Sequence, residues 1–142
     1  MAAEIFTDKW AQEWHEEINN NAEYKKAAAK WEGAIGMVMT PDDDMGIPEE
    51  RVVVADLWHG DSRGAKAITS ADLDDVPFVI KAKPAAWKRV LAGKLDPIVG
   101  IMGGKLKLAK GGIFALLPYA KAAKELVASA IAVDTGFPDG WE

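Results

Sequence analysis

The chain has 142 residues and a mass of 15.3 kDa, with 49% apolar and 27% charged residues. That is the composition of an ordinary globular domain, large enough to fold without disulfides or metal. With no cysteine and two histidines, disulfide scaffolds, thiolate zinc sites, thiol catalysis and a three-histidine centre are excluded, and no metal or cofactor is expected. A net charge of −5 disfavours nucleic acid as a partner.

Phe6, Trp10, Trp14 and Ile18 recur every fourth residue, which predicts one stripe of a helix beginning near Thr7, with Thr7 as its N-cap. Asn19-Asn20-Asn21 interrupts it, because asparagine side chains compete for nearby backbone groups. A second short helix is expected over Glu23 to Lys30. Gly33, Gly36 and Met37-Val38-Met39 read as a first strand, and Thr40 to Glu50 as a loop. A β-branched second strand covers Arg51 to Trp58 and ends at His59-Gly60. A third is expected around Ala65 to Thr69 and a fourth at Phe78 to Lys83, where Phe78, Ile80 and Ala82 share one face. Such alternation implies a sheet covered on one side, mostly antiparallel and built of hairpins.

Helical character returns at Pro84, with Trp87, Val90 and Leu91 inward and Gly93 as the stop. Asp96 caps a second short helix that runs to Gly103-Gly104. Lys105 to Leu108 alternates as a fifth strand, and a helix from Ile113 to Val133 is kinked at Pro118. The fold class is therefore α+β in one domain, 1–142. It has N-terminal helices at 7–30, sheet and helices at 31–112, and a C-terminal helix at 113–133. No apolar run reaches the ~20 residues a membrane span needs. The opening MAAEIFTDKW lacks a signal-peptide pattern, so the expected location is cytoplasmic.

The net charge hides a division. Residues 1–76 carry seven Lys/Arg and seventeen Asp/Glu, whereas residues 77–124 carry ten Lys/Arg and one acid, Asp96. Either the two halves attract each other across one fold, or the basic stretch meets an anionic head group, a phosphate or a membrane surface.

Motifs with catalytic overtones fail on context. Gly60-Asp61-Ser62-Arg63-Gly64 matches the G-x-S-x-G elbow, but strand rather than helix follows it, and both His15 and His59 precede Ser62. A hairpin turn explains its glycines more simply. Asp42-Asp43-Asp44 lacks the alternation of a calcium loop, and its twelfth position is Val53. His15-Glu16-Glu17 lacks the second histidine of H-E-x-x-H, since Asn19 stands there. Gly103-Gly104-Lys105 and Lys110-Gly111-Gly112 lack the frame of a phosphate loop, and His59 reads as a surface or capping residue. Nothing assembles a nucleophile with a base, so no enzyme is expected.

The stretch Trp87 to Leu108 resembles the signature of the sterol carrier protein lipid-transfer domain, the type-two sterol carrier proteins. Gly93, Lys94, Leu95, Asp96, Pro97, Gly104, Lys105, Leu106, Lys107 and Gly111 follow that family's pattern in order. The strand Phe78 to Ala82, followed by Pro84 and Trp87, is similar to its strand-then-helix step. The resemblance covers roughly residues 30 to 125. It implies a five-stranded, mostly antiparallel sheet covered on one face by helices, with an apolar tunnel between the layers. It also implies noncatalytic binding or transfer of sterols, long-chain fatty acids or fatty acyl-CoA. The partner would be that lipid, with transient contacts to a membrane surface or an acyl-CoA enzyme.

By alternation, the candidate lining is Phe78, Ile80, Trp87, Leu91, Ile98, Met102, Leu106, Leu108, Phe114 and Leu117. Ile113, Val127 and Ile131 could form a lid, and Lys81, Lys83, Lys105 or Lys107 could meet an anion at the mouth. The family's peroxisomal tripeptide is not matched by Asp139-Gly140-Trp141-Glu142, so peroxisomal import is not expected. A noncatalytic interaction module with a filled core remains the alternative. An acyl-thioester hydrolase using Ser62 is the remote one.

Overall fold

In the computed structural model, which describes residues 2–138 and Trp141, the first helix starts where capping chemistry puts it. The Thr7 hydroxyl accepts from the Trp10 amide, and α1 runs Asp8–Asn19 with Trp10, Trp14 and Ile18 buried. Asn21 ends the interruption by accepting from the Tyr24 amide at 2.9 Å, which opens α2 (Ala22–Ala27). The second helix stops short of the predicted Lys30. Turns from Tyr24 to Ala28 and from Ala28 to Trp31 swing the chain toward the sheet, where Glu32 bridges to Trp58. Ahead of α1, a two-residue strand β1 (Ala3–Glu4) is present.

The main sheet has five strands: β2 (Ile35–Met39), β3 (Arg51–Trp58), β4 (Asp61–Ile68), β5 (Phe78–Ala82) and β6 (Lys107–Lys110). Their order is β4-β3-β2-β5-β6, and every pairing is antiparallel except β2 with β5. The sheet is mostly antiparallel, as expected, but one central pairing is a parallel crossover rather than a hairpin. β4 begins four residues earlier than the predicted Ala65, because His59 (φ 50°) and Gly60 (φ 87°) close a two-residue turn in which both residues are left-handed. This is the geometry that matches the twist of a hairpin. β6 begins two residues later than predicted. The amides of Lys105 and Leu106 both bond the Gly100 carbonyl and hold those residues to the preceding helix.

The remaining elements are α3 (Pro84–Leu91), α4 (Pro97–Met102), α5 (Ile113–Leu116), α6 (Ala120–Ile131) and β7 (Thr135–Gly136). A 3₁₀ turn over Leu117–Tyr119, containing Pro118, separates α5 from α6 at the predicted kink. β7 pairs in parallel with β1. Asp139, Gly140 and Glu142, which carry the reading of the C-terminal tripeptide, lie outside the described residues.

Alternation along the strands assigns the two faces. Ile35, Met37, Met39, Val53, Ala55 and Leu57 join the helices in the main core. Val38, Val52 and Val79 face the other side, under Leu73 and Val76. α1 lies along edge strand β4 and occupies polar groups on its backbone. Asp8 accepts from the Ala67 amide (3.1 Å), while the Asn19 amide group both accepts from Ser62 N (2.8 Å) and donates to Ser62 O (2.9 Å). An edge covered in this way cannot recruit another strand.

Candidate binding cavity

The helices do not fill the space above the inner face of the sheet. A cavity of about 60 Å³ remains, inside a gap of about 660 Å³ that includes solvent at its mouth. Ile35, Met37 and Ile80 form the floor. Trp87, Val90 and Leu91 of α3 face Pro97, Ile98 and Ile101 of α4, and α6 closes the gap with Ala123, Leu126, Val127 and Ala130. Phe6, Trp14, Leu106 and Leu116 complete the wall. Phe6, at φ 56°, packs at a tilt against Trp10 and edge-on to Trp87, with centroids 5.1 and 5.2 Å away.

The wall exposes no polar surface. Its two indole N–H groups are both satisfied elsewhere: Trp14 donates to the Leu126 carbonyl at 3.0 Å and Trp87 to the Val38 carbonyl at 2.9 Å. No titratable side chain lines it. The cavity can receive hydrocarbon, but it can neither hydrogen-bond a head group nor move a proton.

Of the residues selected by alternation, Ile80, Trp87, Leu91, Ile98 and Leu106 lie on this wall. Phe78 is drawn away: its ring packs on Trp31, with centroids 5.0 Å apart, and lies against Gly111 where a Cβ would stand. Leu108 packs against the core from β6 without reaching the cavity. Met102 is 69% exposed, Phe114 84% and Leu117 37%, all outside the cavity. Of the proposed lid, Val127 faces the cavity, whereas Ile131 lines a surface groove. Sequence reasoning left out Phe6, Trp14, Ile35, Met37, Val90, Pro97, Ile101, Leu116 and the alanine-rich face of α6. The early aromatic stripe and the spacing Ala123-Leu126-Val127-Ala130 were the available signals.

That groove, about 420 Å³, runs between the α3–α4 turn and α6, past Gly93, Lys94, Asp96, Lys124 and Ala128. It shares Pro97 and Val127 with the cavity, so these two side chains stand between the hollow and water. Asp96 fixes the near end of α4 by accepting from the amides of Ile98 (2.9 Å) and Val99 (3.1 Å).

Chain order does not keep histidine from Ser62. His15 Nδ1 lies 2.6 Å from Ser62 Oγ. Ser62 is 4% exposed on β4, however, and lines neither the cavity nor the groove. The pair joins α1 to the sheet edge beside the Asn19 contacts. His59 is exposed, its Nε2 2.6 Å from Glu32 Oε2. Among the described residues no helix is long and apolar enough to cross a membrane.

The sequence matches no family model and no curated protein. Solved structures do match. A crystal structure of sterol carrier protein 2 is 46% identical over 92% of this chain and 99% of its own, with a TM-score of 0.85. A solution structure of a Thermus thermophilus protein, described as conserved, hypothetical and a possible sterol carrier protein, is 44% identical over 99% of this chain and 97% of its own, again at 0.85. The apo form of sterol carrier protein 2 from Yarrowia lipolytica shares the fold at 15% identity and a TM-score of 0.55, over 83% of this chain and 89% of its own.

Proposed function

The chain belongs to the sterol carrier protein 2 family, and from that membership we propose a noncatalytic intracellular carrier that takes the hydrocarbon of one sterol, long-chain fatty acid or fatty acyl-CoA between sheet and helices. The observation that carries this reading is a wall with no polar surface, its indole N–H groups already bonded to backbone carbonyls. Each methylene moved from water into such a space contributes ~0.8 kcal/mol, enough for a long chain to outweigh the cost of ordering it. The head group stays outside, because nothing inside can replace its water.

A hollow of about 60 Å³ holds only a few waters' worth of space. Loading therefore parts the walls, and the groove behind Pro97 and Val127 is the path we assign to it. Titration of a fluorescent fatty acid onto delipidated protein tests the carrier. Saturable binding in the micromolar range, with energy transfer from Trp14 and Trp87, is the expected result. An absence of saturable binding removes the carrier and leaves the filled-core interaction module, which the small volume of the hollow favours. Turnover of an acyl thioester that Ser62→Ala abolishes would overturn the noncatalytic assignment.

A further inference from the structure

The mouth of the cavity carries charge that its wall does not. Lys124, Val127, Ala128 and Ile131 have the spacing of one helical stripe on α6, and all four line the groove outside the cavity. Lys94 lines the same groove from the α3–α4 turn. Gly93 (φ 74°) and Lys94 close that turn by donating to the Val90 and Arg89 carbonyls, both at 3.0 Å. These paired bonds end α3 and fix the backbone from which the Lys94 side chain departs. Among the described residues neither lysine is in an ion pair, the pairs being made by Lys25, Arg51, His59, Arg63 and Lys121. Asp96 is the one acid among the described residues of the groove, and the Ile98 and Val99 amides already engage its carboxylate.

The four lysines considered for the mouth, Lys81, Lys83, Lys105 and Lys107, stand elsewhere. With Arg89 they line a separate groove of about 650 Å³ that shares no residue with the cavity or its mouth. Alternation along β5 turns Lys81 away from the face on which Ile80 meets the cavity. Of the basic segment, it is Lys94 and Lys124 that reach the opening of the hollow. An apolar space that opens past Pro97 and Val127 between two unpaired ammonium groups fits an amphiphile with an anionic end. The tail leaving water supplies the affinity. The lysines supply the preference, because charge-assisted bonds offset the water a carboxylate loses at the mouth. An uncharged hydroxyl gains little there.

We propose that Lys94 and Lys124 select the cargo by its head group, taking the carboxylate of a single-chain fatty acid in the groove while its tail occupies the cavity. The inference rests on the carrier reading and narrows its cargo to amphiphiles with an anion next to the tail. A sterol has none, and the first group beyond the chain of an acyl-CoA is an uncharged thioester.

Calorimetric titration of dodecanoate and dodecan-1-ol, matched in chain length, onto the delipidated chain at pH ~8 tests it, since the free carboxylate is ionised there. Lys94→Gln with Lys124→Gln should lower the affinity for dodecanoate by about fivefold, and the loss should shrink as salt rises. The affinity for dodecan-1-ol and the thermal melt should stay unchanged, because both lysines are exposed and outside the cavity. Lys81→Gln with Lys107→Gln should change neither titration. Undiminished dodecanoate binding after Lys94→Gln with Lys124→Gln, or an equal loss for both ligands, overturns the proposal and leaves the carrier standing. So does a loss of dodecanoate binding confined to Lys81→Gln with Lys107→Gln, which would assign the head group to the other groove. Failure of both ligands to saturate the native chain would remove the carrier reading and this site together.

Discussion

Ala123 and Gly60 show how single positions divide binding from folding. Ala123 lines the cavity with a methyl group, and Leu in its place would occupy the hollow with the extra carbons. Ala123→Leu is expected to weaken fatty-acid binding by about tenfold or more with an unchanged or raised Tm, read by titration and thermal melt. Gly60 is the opposite case, remote from the cavity and required by the backbone. Its φ of 87° is left-handed, and a Cβ there would lie 2.7 Å from the Lys25 carbonyl oxygen. Gly60→Ala should cost about 1–3 kcal/mol in denaturant unfolding without changing the affinity for lipid. His59 and Gly60 were legible as a strand end. Their role in docking the hairpin on the α2 backbone was not, because Lys25 and Gly60 meet only when the helix packs on the sheet.

Among the elements, α4 is the one whose order bears most directly on cargo. It is six residues long, so its own hydrogen bonds cannot sustain it, and the Asp96 carboxylate supplies partners for two otherwise free amides. Removing that cap in Asp96→Ala should cost about 1 kcal/mol. Because Pro97 separates cavity from groove, the same change should speed release of a bound fluorescent fatty acid in stopped-flow mixing. Caps at Thr7 and Asp96, the break at the asparagines and the stop at Gly93 were all readable, since each is local chemistry within a few residues. Strand starts were read less well. β4 starts at a left-handed turn and β6 after a helix-terminal bond to Gly100, and neither leaves a periodic trace.

At the scale of the molecule, Tyr24 ties pH to stability. Its side chain is buried, and that burial, with the Asp61 carboxylate a lesser cause, pushes its hydroxyl far above the usual value of 10.0. Below pH ~10 the phenol is neutral whether the chain is folded or not, and its contribution is fully present. Above that, the unfolded chain releases the proton while the folded one retains it, so stability falls as pH rises. Denaturant midpoints measured across this range should decline, and Tyr24→Phe should flatten the decline. The opposing sign, a native chain gaining stability above pH ~10, would contradict the burial of this group.

Fold class, caps and the apolar composition of the wall could be argued from residue order, because periodicity and capping act within a turn or two of the chain. Half of the proposed lining lies in the cavity and half does not, and alternation alone had no means of separating them. Phe78 and Ile80 share a strand face, but Trp31 and Gly111 take the first ring while the second side chain meets the hollow. Only the docking of α1 and α6 brings Phe6, Trp14 and Leu126 to the same cavity from opposite ends of the chain. Packing decides the remainder, since whether an apolar side chain ends in core, cavity or water depends on what distant segments place beside it.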